Sequence, residues 1–223
     1  MPELAVENLA CRRGGRTVFA GLGFTLEAGG ALLLTGANGS GKSSLLRTLA
    51  LLVSAYRGAI LWRGRDVRAD RDAWCRTIGW LGHADAIKAD LSVGEMLRLA
   101  ASLADAVVAR SRADLDAACG SAAARFGLAD LLDRPCRYLS AGQRRRVALA
   151  RLIANGAPLW LMDEPAAALD TESVTSLHRE ITEHCRSGGM AIVATHGDIT
   201  LAGAAQLDLD RFAHAEPAPD AAA

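Results

Sequence analysis

Aromatic residues are scarce in this chain of 223 residues: they make up 4% of it, although hydrophobic residues reach 51%. Its core must therefore be built from Leu, Val, Ile and Ala rather than from rings. An excess of either charge is also lacking. Lys plus Arg and Asp plus Glu each number 25, so the formal net charge is zero. That balance leaves no basic footprint of the kind a nucleic-acid binder shows, and no nucleic acid is expected as a partner. Long apolar runs are missing too. "ALLLTG" and "PLWLM" have the length of strands, well short of the ~18–20 residues of a membrane span. The opening "MPELAVENLA" has neither the basic start nor the apolar core of a secretory signal. Cysteine is sparse and scattered. Cys11, Cys75, Cys119, Cys136 and Cys185 form no CxxC pair, which speaks for reduced thiols and against a zinc site or a disulfide frame.

The apolar residues that are present alternate with glycine-rich breaks over residues 1–30, the pattern of antiparallel strands and turns. "GGALLLTG" is a continuous apolar run ending in glycine, as a buried strand should be. "GKSSLLRTLALL" follows, with leucines at 45, 46, 49 and 52 on one helical face. "GAILWRGRDV" and "TIGWLGH" read as further strands. From about 91 to 137 the chain turns rich in Ala, Leu, Asp and Arg at helical spacing, which predicts an inserted helical subdomain. A helix opening at Ser140, the strand "PLWLM", a helix around 171–186, the strand "AIVAT" and a strand or turn near 206–212 complete the series. Strands alternating with helices predict a mainly parallel sheet.

Three stretches carry chemistry. "GANGSGKSS", residues Gly36, Ala37, Asn38, Gly39, Ser40, Gly41, Lys42, Ser43 and Ser44, fits G-x-x-x-x-G-K-[ST] between a buried strand and a helix. Its glycines let backbone N–H groups wrap a phosphate, and the helix adds its positive end. Lys42 would reach the β- and γ-phosphates and Ser43 would ligate Mg²⁺. "PLWLMDEP" ends a buried strand in Asp163, a carboxylate that needs a partner there; Mg²⁺ near Ser43 supplies one. Glu164 is the neighbouring residue, points another way, and can polarise a water at the γ-phosphate. "AIVATHGD" puts His196 after a second buried strand, where it can bond the γ-phosphate or hold Glu164 and the water. A fourth stretch, "YLSAGQRRRVALARLIANG", opens a helix with Ser140 as N-cap and Gln143 completing a capping box. The small pair Ala141-Gly142 leaves room for something large at that helix start.

In this order, the stretches resemble those of the ATP-binding-cassette (ABC) ATPases, and the resemblance runs from about residue 3 to 212. "LSAGQ" (Leu139, Ser140, Ala141, Gly142, Gln143) looks like the family's signature motif, and "AALD" like the loop that crosses its dimer interface, with Asp170 as the acid. The resemblance implies an α/β fold: a P-loop NTPase of the ABC type, with an antiparallel β-subdomain and an inserted helical subdomain. It implies a single domain over 1–214, with its nucleotide-binding core at 1–84 and 145–214, the helical subdomain at about 85–144, and a disordered tail at 215–223. ATP and Mg²⁺ are the implied cofactors, held by the loop residues above with Ser43 and Asp163 on the metal. Glu164 and His196 are the implied catalytic pair. A homodimer is implied as well, in which two subunits sandwich ATP head to tail and the signature of one caps the γ-phosphate held by the other. Arg144–Arg146 are then expected to form mostly a solvated or interface face. The chain departs from the family in three places. Arg13 of "CRRGG" stands where many members stack an aromatic on adenine, and would stack by its guanidinium. His83 replaces the glutamine of the loop that leads to the helical subdomain. Ala141 replaces a glycine.

A narrower group is similar in more detail: the ATPase subunits of cytochrome c maturation systems. The similarity rests on "GHADAIKADLS" with His for Gln, "LSAGQRRRVALARL", "LWLMDEP", "CRRGGRTVFAGLGFTL" and the short length. It implies a peripheral subunit at the cytoplasmic face of the inner membrane, docked on integral membrane subunits. Its ATP turnover would be coupled to haem export or to release of a haem-loaded chaperone. The ATPase of another small ABC exporter and a soluble ABC-type regulator remain as alternatives. The sequence has no C-x-x-C-H, and His184-Cys185 reads as an exposed helix end, so no direct haem site is expected.

Overall fold

The computed structural model describes residues 2–104 and 111–213. The tail read from the sequence as disordered lies outside the described residues. Strands β1 (Leu4–Arg13) and β2 (Arg16–Leu26) form a hairpin across Gly14-Gly15, whose positive φ angles of 54° and 78° suit a tight two-residue turn. With β4 (Arg57–Trp62) and β5 (Arg65–Asp66) they make an antiparallel sheet in the order β2-β1-β4-β5.

The second sheet is parallel throughout. Its spatial order is β6 (Ile78–Leu81), β7 (Leu159–Asp163), β8 (Met190–Ala194), β3 (Ala31–Thr35), β9 (Ala205–Asp208). These strands are continuous apolar runs because both faces are covered. In β7, Leu159 and Leu161 join a core shared with β1, β2 and helix α1 (Lys42–Leu49). Trp160 and Met162, one residue out of phase, join the core on the opposite face. β3 divides the same way, with Leu32 and Leu34 on one side and Leu33 on the other. The sparse aromatics have their consequence here: leucine, with Phe19 the one ring beside it, makes up the largest fully buried side chains.

One element escapes sequence periodicity. Helix α2 (Arg71–Thr77) is only seven residues long, too few turns to show a repeating face. Asp70 caps it by accepting from Ala73 N at 2.9 Å, and Trp74 Nε1 anchors it by donating to Leu49 O at 2.8 Å. The helical region contains α3 (Val93–Ala104) and α4 (Arg112–Arg125), which pack with α5 (Ala141–Asn155) through residues such as Leu97, Phe126 and Val147. Helix α6 (Thr171–Arg186) covers the sheet beyond, through Leu177 and Ile181. Among the described residues no helix is long and apolar enough to cross a membrane.

The parallel register sets up the site. Leu34 of β3 and Asp163 of β7 both pair with Ala194 of β8. The segments that follow these three strands therefore leave the sheet along one edge, where open parallel sheets take their ligands.

Candidate nucleotide site

From Thr35 the chain turns through Gly36–Gly41 into α1. Gly36, Gly39 and Gly41 have φ of 128°, 84° and 106°, a region that residues with a side chain seldom adopt. Gly41 is also pressed from outside: a Cβ there would lie 2.9 Å from Val18 Cγ1 and 3.2 Å from Phe19 Cδ1. No side chain caps α1, and its first turn holds no acid. Its leading N–H groups and partial positive charge thus suit an anion. Lys42 is buried and curls across the loop, Nζ donating to Gly36 O at 2.7 Å and Ala37 O at 3.0 Å. Asp210, in the 3₁₀ turn Leu209–Arg211 after β9, accepts from Ala37 N through both carboxylate oxygens at 3.1 and 3.0 Å.

Ser43 Oγ donates to Asp163 Oδ1 at 2.9 Å. Asp163 is 2% exposed, and its Oδ2 is buried with no hydrogen bond. An unpaired buried carboxylate oxygen is costly. A small hard dication between it and the Ser43 hydroxyl would satisfy both. Mg²⁺ commonly takes one or two protein oxygens and completes its shell with water and phosphate. That habit suits this pair, since among the described residues no cluster of three or more His, Cys, Asp or Glu could hold an ion alone.

Glu164, next in sequence, has a φ of 49°, the left-handed region in a residue with a side chain. Such a conformation costs about 1–3 kcal/mol and gathers at functional sites. Its N–H donates to Ala194 O at 3.0 Å, and its Oε1 lies 3.0 Å from His196 Nε2. An ionised carboxylate only accepts, so Nε2 carries the proton of this bond. His196 thus meets Glu164, one of the two partners foreseen for it. Both residues line a cleft of about 150 Å³ with Asn38, Gly39, Gly41, Lys42, Ser43 and Ser44.

Leu139–Gln143, Asp170, Arg13 and His83 do not line that cleft. Arg13 is exposed at the end of the β1–β2 hairpin, and His83 is exposed in the loop after β6. The signature opens α5 with the capping box expected: Gln143 N donates to Ser140 Oγ at 3.2 Å, and Ser140 N donates to Gln143 Oε1 at 2.9 Å. Gly142 has a reason within its own chain, because a Cβ there would lie 3.2 Å from Ala168 O. Ala168 has a φ of 62° in the loop that ends at Asp170. Asp170 caps α6, accepting from Ser173 N at 2.8 Å. Its hydrogen bonds to Ser173 hold its carboxyl below the usual carboxylate range.

Two sequence readings need correction. Of Arg144–Arg146, Arg145 is on no solvated or interface face, while Arg144 and Arg146 stay half-buried. Helix α5 is enclosed by α3, α4 and the sheet, so the three side chains turn back onto protein. Arg144 Nη1 donates to Leu139 O at 2.7 Å and Arg146 Nη1 to Phe126 O at 3.2 Å, while Arg145 is 3% exposed and fully hydrogen-bonded. A signal for Arg145 existed: it shares a helical stripe with Leu149 and Leu152, both buried. Nor is His184-Cys185 an exposed helix end. The His184 ring stacks on Trp160, centroids 3.8 Å apart and planes 4° from parallel, and Cys185 is half-buried. Burial holds the His184 imidazole below its ordinary range. Asp85, which meets Arg145, and Asp210 are site-bordering residues that sequence reasoning missed.

Known proteins resemble this chain in sequence and in fold. The model of the ABC transporter family matches residues 19–167. A protein named cytochrome c biogenesis ATP-binding export protein CcmA, from Paramagnetospirillum magneticum, is 51% identical over 96% of this chain and 97% of its own length. Its namesake from Rhodospirillum rubrum is 50% identical over 98% of this chain and 89% of its own. Among solved structures, a bacterial Atm1-family ABC exporter with ATP bound matches 96% of this chain and 38% of its own, at 25% identity and a TM-score of 0.80. An ABC transporter ATP-binding protein from Pyrococcus furiosus shares the fold at a TM-score of 0.79 and 23% identity, over 94% of this chain and 98% of its own. The phosphate loop, the buried acid at the end of β7, the Glu164–His196 pair and these matches lead to one assignment: the chain belongs to the ABC transporter family, as an ABC-type ATPase in the group of the cytochrome c biogenesis ATP-binding export proteins.

Proposed function

We propose that this chain is the ATP-hydrolysing motor subunit of a cytochrome c biogenesis complex, and that its turnover drives haem export or the release of a haem-loaded chaperone. The reading is carried by the 51% identity, over nearly the full length, with a relative named for cytochrome c biogenesis and export. The domain spans 1–214. Its helical subdomain, about 85–144, docks on integral membrane subunits near His83, at the cytoplasmic face of the inner membrane.

In this reading the loop Gly36–Ser44 wraps the phosphates of ATP, and Lys42 turns from the carbonyls of Gly36 and Ala37 to the β- and γ-phosphates. Ser43 and Asp163 hold Mg²⁺, which when bound offsets phosphate charge and withdraws electron density from the γ-phosphorus. Glu164 orients the attacking water and takes up its proton, while the His196 Nε2–H bond fixes Oε1. The guanidinium of Arg13 stacks on adenine. Two copies close head to tail, as the resemblance implies. Ser140 Oγ accepts from Gln143 N, so its own hydroxyl hydrogen is free to donate to the γ-phosphate held by the other copy. Asp170 meets the same interface.

The test is a pull-down of tagged Glu164→Gln from detergent-solubilised membranes with ATP and Mg²⁺ present. Partners are identified by mass, and the absorption spectrum is recorded. Cytochrome c maturation subunits with a haem Soret band are the expected result. A different membrane partner without haem would point to another exporter, and no membrane partner at all would point to a soluble regulator.

A further inference from the structure

We infer that Arg145 is a positioning residue for ATP hydrolysis, locking the loop that carries His83 to the backbone around Glu164. The inference rests on Glu164 acting as proposed above. A guanidinium has five N–H donors in a fixed plane. Here all five are engaged. Nε donates to Pro165 O at 3.2 Å; Nη1 donates to Gly82 O at 3.0 Å and Asp85 Oδ1 at 2.9 Å; Nη2 donates to Asp163 O at 3.1 Å and Glu164 O at 2.6 Å. One side chain thus joins three segments: helix α5, the loop at 82–85 and the turn at 163–165. Four of its five acceptors are neutral carbonyls, and the one carboxylate, Asp85, is about a quarter exposed. As a device for stability this is a poor choice, since an apolar residue fills a buried site at lower cost. As a device for geometry it is a good one, because a planar fork fixes the relative places of everything it touches.

What it fixes is strained. Glu164 sits at a φ of 49°, a conformation that persists only where the surroundings over-determine it. Three bonds do so: Glu164 N to Ala194 O at one end of the residue, and at the other Glu164 O accepting from Arg145 Nη2 at 2.6 Å and from Ala167 N at 3.1 Å. With the shorter Arg145 bond released, only the local turn bond from Ala167 N holds that carbonyl, and the backbone can relax and carry Oε1 away from His196. At the far side of the fork, Gly82 and Asp85 flank His83. Arg151, also on α5, grips the same loop, Nη1 donating to Asp85 O and Ala86 O at 2.9 Å each. Ala86 is itself left-handed, at a φ of 50°. Loop 82–86, α5 and the Glu164 turn therefore move as one body, and a displacement of the loop reaches the catalytic carboxylate through Arg145.

Arg145→Lys in the full chain tests this. Lysine keeps the charge but has one nitrogen, which cannot span three segments. An error of about 1 Å at a reacting group costs up to about 100-fold. The expected result is a kcat lower by about 10- to 100-fold with KM and Kd for ATP within about threefold. Amide hydrogen exchange should quicken together at peptides covering 82–86 and 163–167, and not in the β1–β2 hairpin. Asp85→Asn keeps a neutral acceptor and should lower kcat about two- to fivefold, with faster exchange confined to 82–86. Wild-type kcat and exchange in Arg145→Lys would overturn the inference. So would a joint loss of kcat, ATP affinity and thermal midpoint, the mark of a mere structural plug. Should Arg145→Lys not fold, an unchanged kcat in Asp85→Asn overturns it alone. Glu164→Gln run in parallel separates the two readings. If that variant turns over normally, the role of Glu164 falls, and the paired exchange response still decides whether Arg145 couples the segments.

Discussion

Replacing Ser140 by Asp separates the two tasks assigned to one side chain. As N-cap of α5, Ser140 Oγ accepts from Gln143 N, and Gln143 Oε1 accepts from Ser140 N. Asp is as good an N-cap as Ser, and its charge is welcome at a helix N-terminus. The thermal midpoint of Ser140→Asp should therefore stay within about 1–2 °C of wild type. Ser140→Ala loses the acceptor, at about 1 kcal/mol, which for a chain of this size means about 2–4 °C. Dimer closure reverses that order. Asp sets a carboxylate against the γ-phosphate held by the other copy, and like charges brought together at an interface cost several kcal/mol. A penalty of about 3 kcal/mol already weakens the dimer by more than about 100-fold. Ala forfeits one hydrogen bond at each of the two symmetric sites, about 2 kcal/mol in all, or about 30-fold in affinity, well short of the Asp penalty, which is also paid at both sites. The assay is sedimentation velocity on a Glu164→Gln background with saturating ATP and Mg²⁺, beside thermal unfolding of each variant. Ser140→Asp should be stable and monomeric, Ser140→Ala less stable and dimeric. If Ser140→Asp closes as well as the background, Ser140 does not face a phosphate in the partner's site and the argument is wrong.

Two further outcomes follow from packing and burial. Gly58 in β4 has a φ of 92° and crosses β1 where the ladder is irregular, and a Cβ there would lie 2.5 Å from both Glu7 O and Asn8 O. Gly58→Ala should cost about 3 kcal/mol or more in urea unfolding, and a cost under about 1 kcal/mol would show that the crossing yields. His184 resists protonation when folded because it is half-buried against Trp160, so the unfolded chain binds the extra proton once pH falls below about 6.5. Stability should thus fall as pH drops through that range and be flat above it, a decline that His184→Phe flattens; parallel thermal-midpoint curves for the two proteins would refute the linkage.

Which parts could be read from the sequence follows from how far each depends on distant contacts. The phosphate loop is a run of neighbours, and its glycine positions correspond to backbone angles that few other residues adopt. The buried strands were legible because covering both faces of a sheet leaves a continuous apolar run, as Leu159–Met162 shows. The capping box of α5 lies within four residues. Arg145 stood among three arginines that looked like surface charge; only the enclosure of α5 turns it inward. His184 sits in the last turn of α6, and its burial depends on Trp160, which arrives from β7. The bond between Ala37 and Asp210 spans 173 positions, and no local pattern announces it.

That last bond bears on how the protein is made. Thr35 pairs with Asp208 in the outermost rung of β3 and β9, and Asp210 then reaches round to the first N–H after Gly36. In synthesis the loop residues leave the ribosome more than 160 residues ahead of the carboxylate that clasps them, given the separation of 173. A chain halted before Ala205 would already carry Lys42, Asp163, Glu164 and His196. It would nevertheless have β3 as a bare edge, open to pairing with other chains, beside an unclasped loop. The grip on nucleotide matures last, so the nascent chain passes through a stage at which every motif has been made and the pocket is still unfinished.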